Sequence, residues 1–334
     1  MKLQTIVPIE KANNPIDYQS KVLLLGSCFV ENIGGKLNFF KFQTTQNPFG
    51  ILFHPLAIEN LIERALTNQP YQKAEVFEHD GIWHCFDAHS DISALSEQEL
   101  LDNLNNGLEE TAKTLKEATD VVLTLGTSWT YKHNSTQKTV ANCHKVPQKE
   151  FSKELLSVER IQSSIKKMAE LIQSVNEKAQ IIFTISPVRH LKDGFVENQR
   201  SKAHLISAVH TILSLRAVTL SSPALSKAEV SKGQSRSLSY FPSYEIVMDE
   251  LRDYRFYGKD MVHPNELSVD YIWEKFKLAW ISPEIYPVMD EVEAVQKGLQ
   301  HKSFNPDSET HQKFKKSLGE KITYLQERYP FMKF

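Results

Sequence analysis

The stretch Val22-Leu23-Leu24-Leu25-Gly26-Ser27-Cys28-Phe29 sets the architecture predicted for this chain. Its apolar run is short enough for a buried β-strand, and an amphipathic helical pattern follows at once over residues 29–39. A strand that leads directly into a helix places the junction at the carboxyl edge of a parallel sheet, where α/β proteins bind ligands. Gly26 permits a sharp turn there, so Ser27 can lie beside the unpaired N–H groups of the helix. The stretch predicts either a nucleophilic serine or a helix-capping serine at a tight turn.

The same strand-to-helix pattern recurs along the chain. Further strands are predicted at 40–44, 120–126, 180–185 and 240–245, with helices at about 56–66, 96–118, 158–176, 197–213 and 266–280. Alternating strands and helices indicate a mostly parallel sheet that is covered on both faces. Asp80-Gly81 between two partly apolar runs predicts a β-hairpin beside that sheet. The segment 221–239 predicts a surface insertion or an irregular crossover.

Length and composition predict one core domain with additions. The chain has 334 residues, of which 41% are hydrophobic and 24% charged, enough apolar residues for a sizeable core. We expect an α/β domain over residues 1–280, with a hairpin and helix inserted at about 70–118. Residues 281–334 are expected to form a helical extension packed on that core. The formal net charge of −2 provides no electrostatic basis for nucleic-acid binding.

Hydropathy and cysteine usage predict where the protein resides. Residues 1–18 contain no apolar core of signal-peptide length, and no later segment reaches transmembrane length, so no membrane partner is expected. The three cysteines are an odd number without a disulfide-framework spacing. Reduced thiols and a cytoplasmic location are therefore expected. The sequence leaves the oligomeric state open.

Polar, turn-prone residues follow four of the predicted strands. They are Ser27, Asn47 with Gly50, Thr127 with Ser128, and Arg189 with His190. Because the carboxyl ends of parallel strands meet at one edge of a sheet, we expect these residues to lie close together. This clustering is typical of an α/β active site.

A fifth candidate segment is Asp260-Met261-Val262-His263-Pro264-Asn265, which precedes an amphipathic helix. A carboxylate and an imidazole three residues apart around a loop can meet, so that Asp260 accepts a hydrogen bond from one ring nitrogen of His263. The other nitrogen would then be free to take a proton from a serine. The alternative is that Asp260 caps a turn and that His263 merely begins the helix.

Five motifs together resemble the GSCFA family, which is regarded as a branch of the SGNH (GDSL-like) hydrolases. They are Gly26-Ser27-Cys28-Phe29, Asn47-Pro48-Phe49-Gly50, Ser186-Pro187-Val188-Arg189-His190, Asp253-Tyr254-Arg255-Phe256-Tyr257 and Asp260-Met261-Val262-His263-Pro264. The resemblance covers most of the chain from Val22 onward. It implies a flavodoxin-like, three-layer α/β/α sandwich.

The resemblance also implies roles for individual residues. Ser27 matches the nucleophile, His263 the general base and Asp260 the residue that orients the base. The oxyanion hole would combine the Ser27 N–H with Gly50 and with Ser128. In this sequence Ser128 stands where SGNH enzymes have an asparagine, and Gly-Ser-Cys stands where they have Gly-Asp-Ser.

These residues predict an acyl-ester hydrolase of the esterase or O-deacetylase type that needs no cofactor. The expected partner is a small-molecule or saccharide ester, bound by Asn47, Thr127, Arg189 and His190. Arg189 has the alternative of an ion pair with Asp193 or Glu197. Two other functions stay open, namely an O-acyltransferase acting on a saccharide and an inactive binding protein with the same fold.

Two rival chemistries involve cysteine. Cys28 would sit at a helix start, which favours a thiolate, but adjacent residues at a turn point in different directions and cannot both face one base. A zinc site would use residues among His84, Cys85, His89, Cys143 and His144. Their spacing matches no paired metal-binding motif, which favours ordinary half-buried residues on a hairpin and no bound metal.

Overall fold

The computed structural model describes residues 5–221, 238–302 and 304–334. The predicted insertion at 221–239 lies almost wholly outside the described residues. Within them the strands are β1 Lys21–Gly26, β2 Gln43–Gln46, β3 Val76–His79, β4 Ile82–Cys85, β5 Asp120–Leu125, β6 Trp129–His133, β7 Thr139–Val140, β8 Phe151–Leu155, β9 Gln180–Ile185 and β10 Leu238–Phe241. The longer helices are α1 Phe29–Phe39, α2 Pro55–Leu66, α3 Glu97–Glu117, α4 Val158–Val175, α5 Phe195–Ser221, α6 Glu266–Trp280, α7 Tyr286–Gln300 and α8 Glu309–Arg328.

Five strands form one parallel sheet in the order β10-β9-β5-β1-β2. Read from the β2 edge, with the five strands numbered 1 to 5 in chain order, this is the 2-1-3-4-5 order of flavodoxin-like folds. The direction of strand order reverses between β1 and β5, and ligands of such sheets bind beyond the carboxyl ends at that point. The predicted α/β/α sandwich with a mostly parallel sheet is confirmed.

Alternate side chains of the central strands supply two separate apolar cores. Leu23 and Leu25 of β1 belong to a core built largely with α2, α3, α4 and α5. Val22 and Leu24, which point to the opposite face, belong to a core with α1, α6, α7 and α8. Because strand side chains alternate between faces, an unbroken apolar run is what a sheet covered on both sides requires.

The excursions from the sheet were predicted only in part. Asp80 and Gly81 both take positive φ, of 53° and 76°, and join β3 to β4 as the Asp-Gly signal predicted. A second, three-stranded antiparallel sheet, β7-β6-β8, was not predicted. The strand expected at 40–44 begins later, at Gln43, because Phe40 closes the carboxyl end of α1.

The amino-terminal segment and the helical tail cover the same face of the sheet. Ile16 forms a parallel bridge with Ile281, just after α6, and its carbonyl accepts the N–H of Ser282 at 2.9 Å. Leu325 of α8 is fully buried in the core on this face. Among the described residues, no helix has both the length and the apolar character needed to span a lipid bilayer.

Candidate active site

The turn between β1 and α1 depends on Gly26. Its φ is +136°, and a Cβ atom built there would lie 2.1 Å from the carbonyl oxygen of Thr124. Only glycine accepts this conformation and this approach to the neighbouring strand. The chain can therefore turn sharply out of the sheet, and α1 begins two residues after Ser27, with Cys28 at its N-cap.

The base of the site is a local pair on the loop before α6. Asp260 Oδ2 lies 2.6 Å from His263 Nδ1, while Asp260 Oδ1 accepts the backbone N–H groups of Val262 and His263 at 3.0 Å each. The Val262 N–H and then the His263 ring hold the pKa of the Asp260 carboxyl down, at about 2. This is the contact that the three-residue spacing predicted. It leaves His263 Nε2 directed away from the carboxylate.

The thiol of Cys28, rather than the hydroxyl of Ser27, lies next to that nitrogen. Cys28 Sγ is 3.9 Å from His263 Nε2. Ser27 is fully buried, and its Oγ has no hydrogen-bond partner among the described residues. The expected serine-to-histidine hydrogen bond is therefore not formed. Neighbouring side chains at the turn do point in different directions, as expected, but the one that faces the base is Cys28.

The environment of Cys28 keeps its sulfur protonated. Burial raises the pKa of the thiol and Glu31 raises it further, whereas Lys202 and the backbone N–H groups of Cys28 and Phe29 lower it. The raising effects prevail. Cys28 thus needs a neighbouring base to become a nucleophile, unlike cysteines that ionise unaided.

Lys202 is a site residue that the sequence prediction missed. It is fully buried, and its Nζ donates hydrogen bonds of 2.6 Å to the carbonyl oxygens of Gly126 and Ser186. Burial lowers the pKa of its ammonium group to about 7, while interaction with Cys28 raises it. The helical spacing of α5 could have indicated that Lys202 is buried. It lies four residues after Asn198 and three before Leu205, which are both buried on the same face of the helix.

His190 lies at the same edge and is half-buried, with a neutral imidazole. Its Nε2 has no hydrogen-bond partner among the described residues, and it is 3.3 Å from the position a Gly126 Cβ would take. That same position is 3.0 Å from Ser27 Cβ. Burial, Lys202 and His263 together lower the pKa of His190 to about 3. This unpaired imidazole nitrogen is shielded from solvent and lies next to the turn that carries Ser27.

The three donors predicted for the oxyanion hole are all hydrogen-bonded within the protein. The Ser27 N–H donates to Thr124 O at 3.0 Å, and the Gly50 N–H donates to Asn47 O at 2.7 Å. The N–H and Oγ of Ser128 bind Ser201 of α5. A donor that is already paired inside the protein cannot stabilise a developing oxyanion without breaking that bond.

Asn47 has, close to the same turn, an amide nitrogen without a partner in the described part of the chain. Its Oδ1 accepts the Gly26 N–H at 2.9 Å, which fixes the amide beside the turn, while its buried Nδ2 has no partner among the described residues. Asn47 also has a positive φ of 40°, a conformation that asparagine tolerates better than most residues. An unpaired amide next to the nucleophile turn can bind a carbonyl oxygen.

The remaining predicted substrate residues separate into two groups. Thr127 is buried and bonded to Ser201, so it supports the strand end rather than facing a ligand. Arg189 carries no ion pair with Asp193, which binds Lys153, or with Glu197, which binds Arg200. Its guanidinium lies over the ring of Tyr257, 4.9 Å from the centroid.

The imidazoles of the rival metal site are occupied by other contacts. His84 Nδ1 lies 2.7 Å from Ser93 Oγ, and His144 Nε2 lies 2.7 Å from the carbonyl oxygen of Cys85. Burial lowers the pKa of His144 to about 4. In the ranges that the structure describes, no three His, Cys, Asp or Glu residues are placed to hold one metal ion.

Fold and site together define an α/β/α-sandwich protein. At the carboxyl edge of its parallel sheet a thiol contacts an imidazole, which in turn contacts a carboxylate. The family model described as "GSCFA family" matches residues 21–276, and that of the "GSCFA domain protein, C-terminal domain" matches residues 292–334. The chain belongs to the GSCFA family, which confirms the resemblance drawn from the five motifs. A search of curated proteins gives no match to it.

Proposed function

We propose that this chain is an acyl hydrolase that acts on ester bonds, with Cys28 as its nucleophile and His263–Asp260 as its base. The 3.9 Å contact between Cys28 Sγ and His263 Nε2 carries the proposal. A weak nucleophile beside an imidazole that a carboxylate orients is the shared arrangement of serine and cysteine acyl-transfer enzymes. The proposal keeps the base expected from the sequence, His263 with Asp260, and replaces Ser27 by Cys28 as the nucleophile.

The reaction begins with proton transfer. His263 Nε2 takes the thiol proton as Cys28 Sγ attacks the ester carbonyl carbon, and the carbonyl π electrons move to oxygen. The tetrahedral intermediate collapses by breaking the bond between carbon and the alcohol oxygen, and the imidazolium returns the proton to the departing alcohol. Water then attacks the thioester with His263 again as base, releasing the acid and the free thiol.

The surrounding groups support each charge that forms. Asp260 holds the Nδ1–H tautomer of His263 and stabilises the imidazolium. The Cys28 N–H at the start of α1 and Asn47 Nδ2 are the donors proposed for the oxyanion. When Lys202 is protonated, its positive charge lowers the pKa of Cys28 and favours the transient thiolate.

Ser27 remains the second candidate for the nucleophile, as an O-ester-forming serine. Its buried Oγ has no partner, and a buried hydroxyl without a hydrogen bond is costly enough to suggest a use. The same base would serve a transferase, since half of the His263 side chain is exposed and open to an acceptor hydroxyl.

The test is to trap the acyl-enzyme and identify the atom that holds it. Purified protein is incubated with 4-nitrophenyl acetate, quenched in acid and read by intact mass and peptide mapping, with Cys28→Ala, Ser27→Ala and His263→Ala in parallel. Neutral hydroxylamine separates the two nucleophiles, because it cleaves a thioester readily and an oxygen ester poorly. Cys143→Ala is the matched control, since Cys143 is also partly exposed but lies away from the base.

An acetyl group on the Cys28 peptide, removed by hydroxylamine and absent from Cys28→Ala, is the expected result. His263→Ala should slow its formation about 10²–10⁴-fold. A hydroxylamine-resistant acetyl group on Ser27 would move the assignment to Ser27. Absence of any acyl-enzyme and of any turnover, with folded protein, would overturn the proposal in favour of a binding function.

A further inference from the structure

A small cavity of about 190 Å³ lies on the protein beside the segments that carry His263 and His190. Its lining residues are Arg189, Val247, Met248, Arg252, Asp253, Tyr254 and Tyr257. Sites for drug-sized ligands usually measure 300–1,000 Å³, so this cavity suits one part of a ligand rather than a whole one. Part of its wall is a π-helical turn, Ile246–Glu250, a backbone feature that often occurs at functional sites.

Chain connectivity places the cavity next to the candidate active site. Arg189 directly precedes His190, the imidazole with the unpaired nitrogen. Tyr257 directly precedes Gly258, whose N–H donates to His263 O at 2.7 Å, and Tyr257 itself is bridged to Pro264. Two walls of the cavity therefore belong to the same two segments that carry His190 and His263 at the candidate active site.

The cavity carries positive charge that the described residues do not neutralise. No carboxylate within the described parts of the chain forms an ion pair with Arg189 or Arg252. Asp253 also lines the cavity, but its carboxylate binds Arg255 at 2.9 Å. Arg189, which is only partly exposed, points an NH2 group at the Met248 sulfur at 3.6 Å. A thioether is a poor acceptor for a group with five N–H donors.

We propose that this cavity binds an anionic group of the substrate, a carboxylate or a phosphate, next to the ester that the protein cleaves. The proposal rests on the proposed function for the position of the ester, and on the two arginines for the anion. Guanidinium groups bind such anions with paired hydrogen bonds. The ring of Tyr254, 65% exposed at the cavity, would cover the carbon chain between the anion and the ester.

The kinetic test compares two esters with the same acyl chain. The anionic one is the 4-nitrophenyl half-ester of succinate, and the neutral one is its methyl ester. Wild type should show the higher kcat/KM for the anionic ester, and the ratio of the two values should fall about tenfold or more in Arg252→Gln. Arg252 is exposed, so this change leaves the fold intact, and Arg189→Lys tests the second guanidinium without removing charge. The preference should weaken as salt is added.

Arg200→Gln is the control, because Arg200 is an exposed arginine on α5 outside the cavity. Its ratio of kcat/KM for the anionic ester to kcat/KM for the neutral ester should equal that of wild type. Equal kcat/KM values for the two esters in wild type, or a ratio that Arg252→Gln does not change, would overturn the anion site and leave the hydrolase proposal standing.

A binding measurement separates the two proposals when no ester is cleaved. Succinate and inorganic phosphate, each compared with chloride at equal ionic strength, should raise the unfolding temperature of wild type and not of Arg252→Gln. Which of the two anions acts more strongly tells a carboxylate from a phosphate substrate. Stabilisation without ester cleavage would support the anion site and count against the hydrolase. A protein that neither cleaves esters nor responds to either anion would overturn both.

Discussion

The sulfur of Cys28 lies 3.9 Å from Nε2 of His263, although 235 positions of the chain separate the two residues. The sheet makes this contact possible: β1 delivers Cys28 at its carboxyl end, and the loop before α6 arrives over the same edge. Asp260 then fixes the ring from the other side. Each part of this contact can be tested separately.

Asp260→Asn should reduce turnover about 10²–10⁴-fold with little change in the free energy of unfolding. The amide keeps an oxygen for the backbone N–H groups of Val262 and His263, so the loop persists. Its NH₂ group would face Nδ1 and impose the tautomer that cannot accept the thiol proton. Steady-state ester hydrolysis and urea unfolding are the measurements. Asp102→Asn, at an exposed position of α3, is the control, and a similar loss of turnover there would contradict the assignment.

Alkylation of Cys28 by iodoacetamide should be slow at neutral pH and should still accelerate above pH 9. Burial raises the pKa of this thiol above its ordinary value of 9.0, and only the thiolate reacts. The rate is followed by peptide mass spectrometry between pH 6 and 10. Cys143 is the internal comparison, because burial raises the pKa of its thiol to about 11. Rapid labelling of Cys28 below pH 7 would show a preformed thiolate and contradict the general-base role of His263.

Lys202 should make the protein more stable as pH rises from 7 to 9. Its pKa is about 7 when folded and near 10.5 when exposed, so the unfolded chain binds more protons in this interval. The free energy of unfolding then increases with pH, by at most about 1.4 kcal/mol per pH unit. Below pH 7 the buried Lys202 is charged and lowers the stability by its full amount. Urea unfolding of wild type and Lys202→Met at several pH values gives the difference. Parallel curves for the two proteins would contradict this pKa.

Replacing Gly26 by alanine should destabilise the protein by about 2–5 kcal/mol or prevent folding. The new Cβ would meet the Thr124 carbonyl oxygen at 2.1 Å, and φ of +136° is unfavourable for alanine. Gly35→Ala provides the contrast. Gly35 is an exposed residue of α1 with nothing within 4 Å of a new Cβ, and a gain of about 0.5–1 kcal/mol is expected. Equal effects at both positions would show that the turn does not need glycine.

Much of the fold was predictable because the central strands are unbroken apolar runs. Every residue of β5 and β9 is buried, a pattern that only a covered parallel sheet explains. The small antiparallel sheet escaped prediction for the opposite reason. β7 has two residues, and three of the five residues of β8 are exposed, so neither strand shows the alternation of apolar and polar residues that predicts a strand.

Within the site, local relations were predictable and long-range ones were not. Asp260 and His263 meet because a three-residue loop brings them together, so their spacing alone indicated the contact. The choice between Ser27 and Cys28 depends on the rotation of the turn and on the place where the His263 loop arrives. Ser128 was assigned to the oxyanion hole because it stands where SGNH enzymes have an asparagine, but Ser201 on a distant helix occupies its hydrogen bonds.

The 235-residue separation between thiol and base also has a consequence for synthesis on the ribosome. At about 5–20 residues per second, the Cys28 codon is translated roughly 10–50 s before that of His263. During that interval a nascent chain carries the sulfur without the imidazole that lies beside it in the folded protein. Premature chains that end before position 263 therefore have the thiol but lack the imidazole that serves as its base in the proposed mechanism.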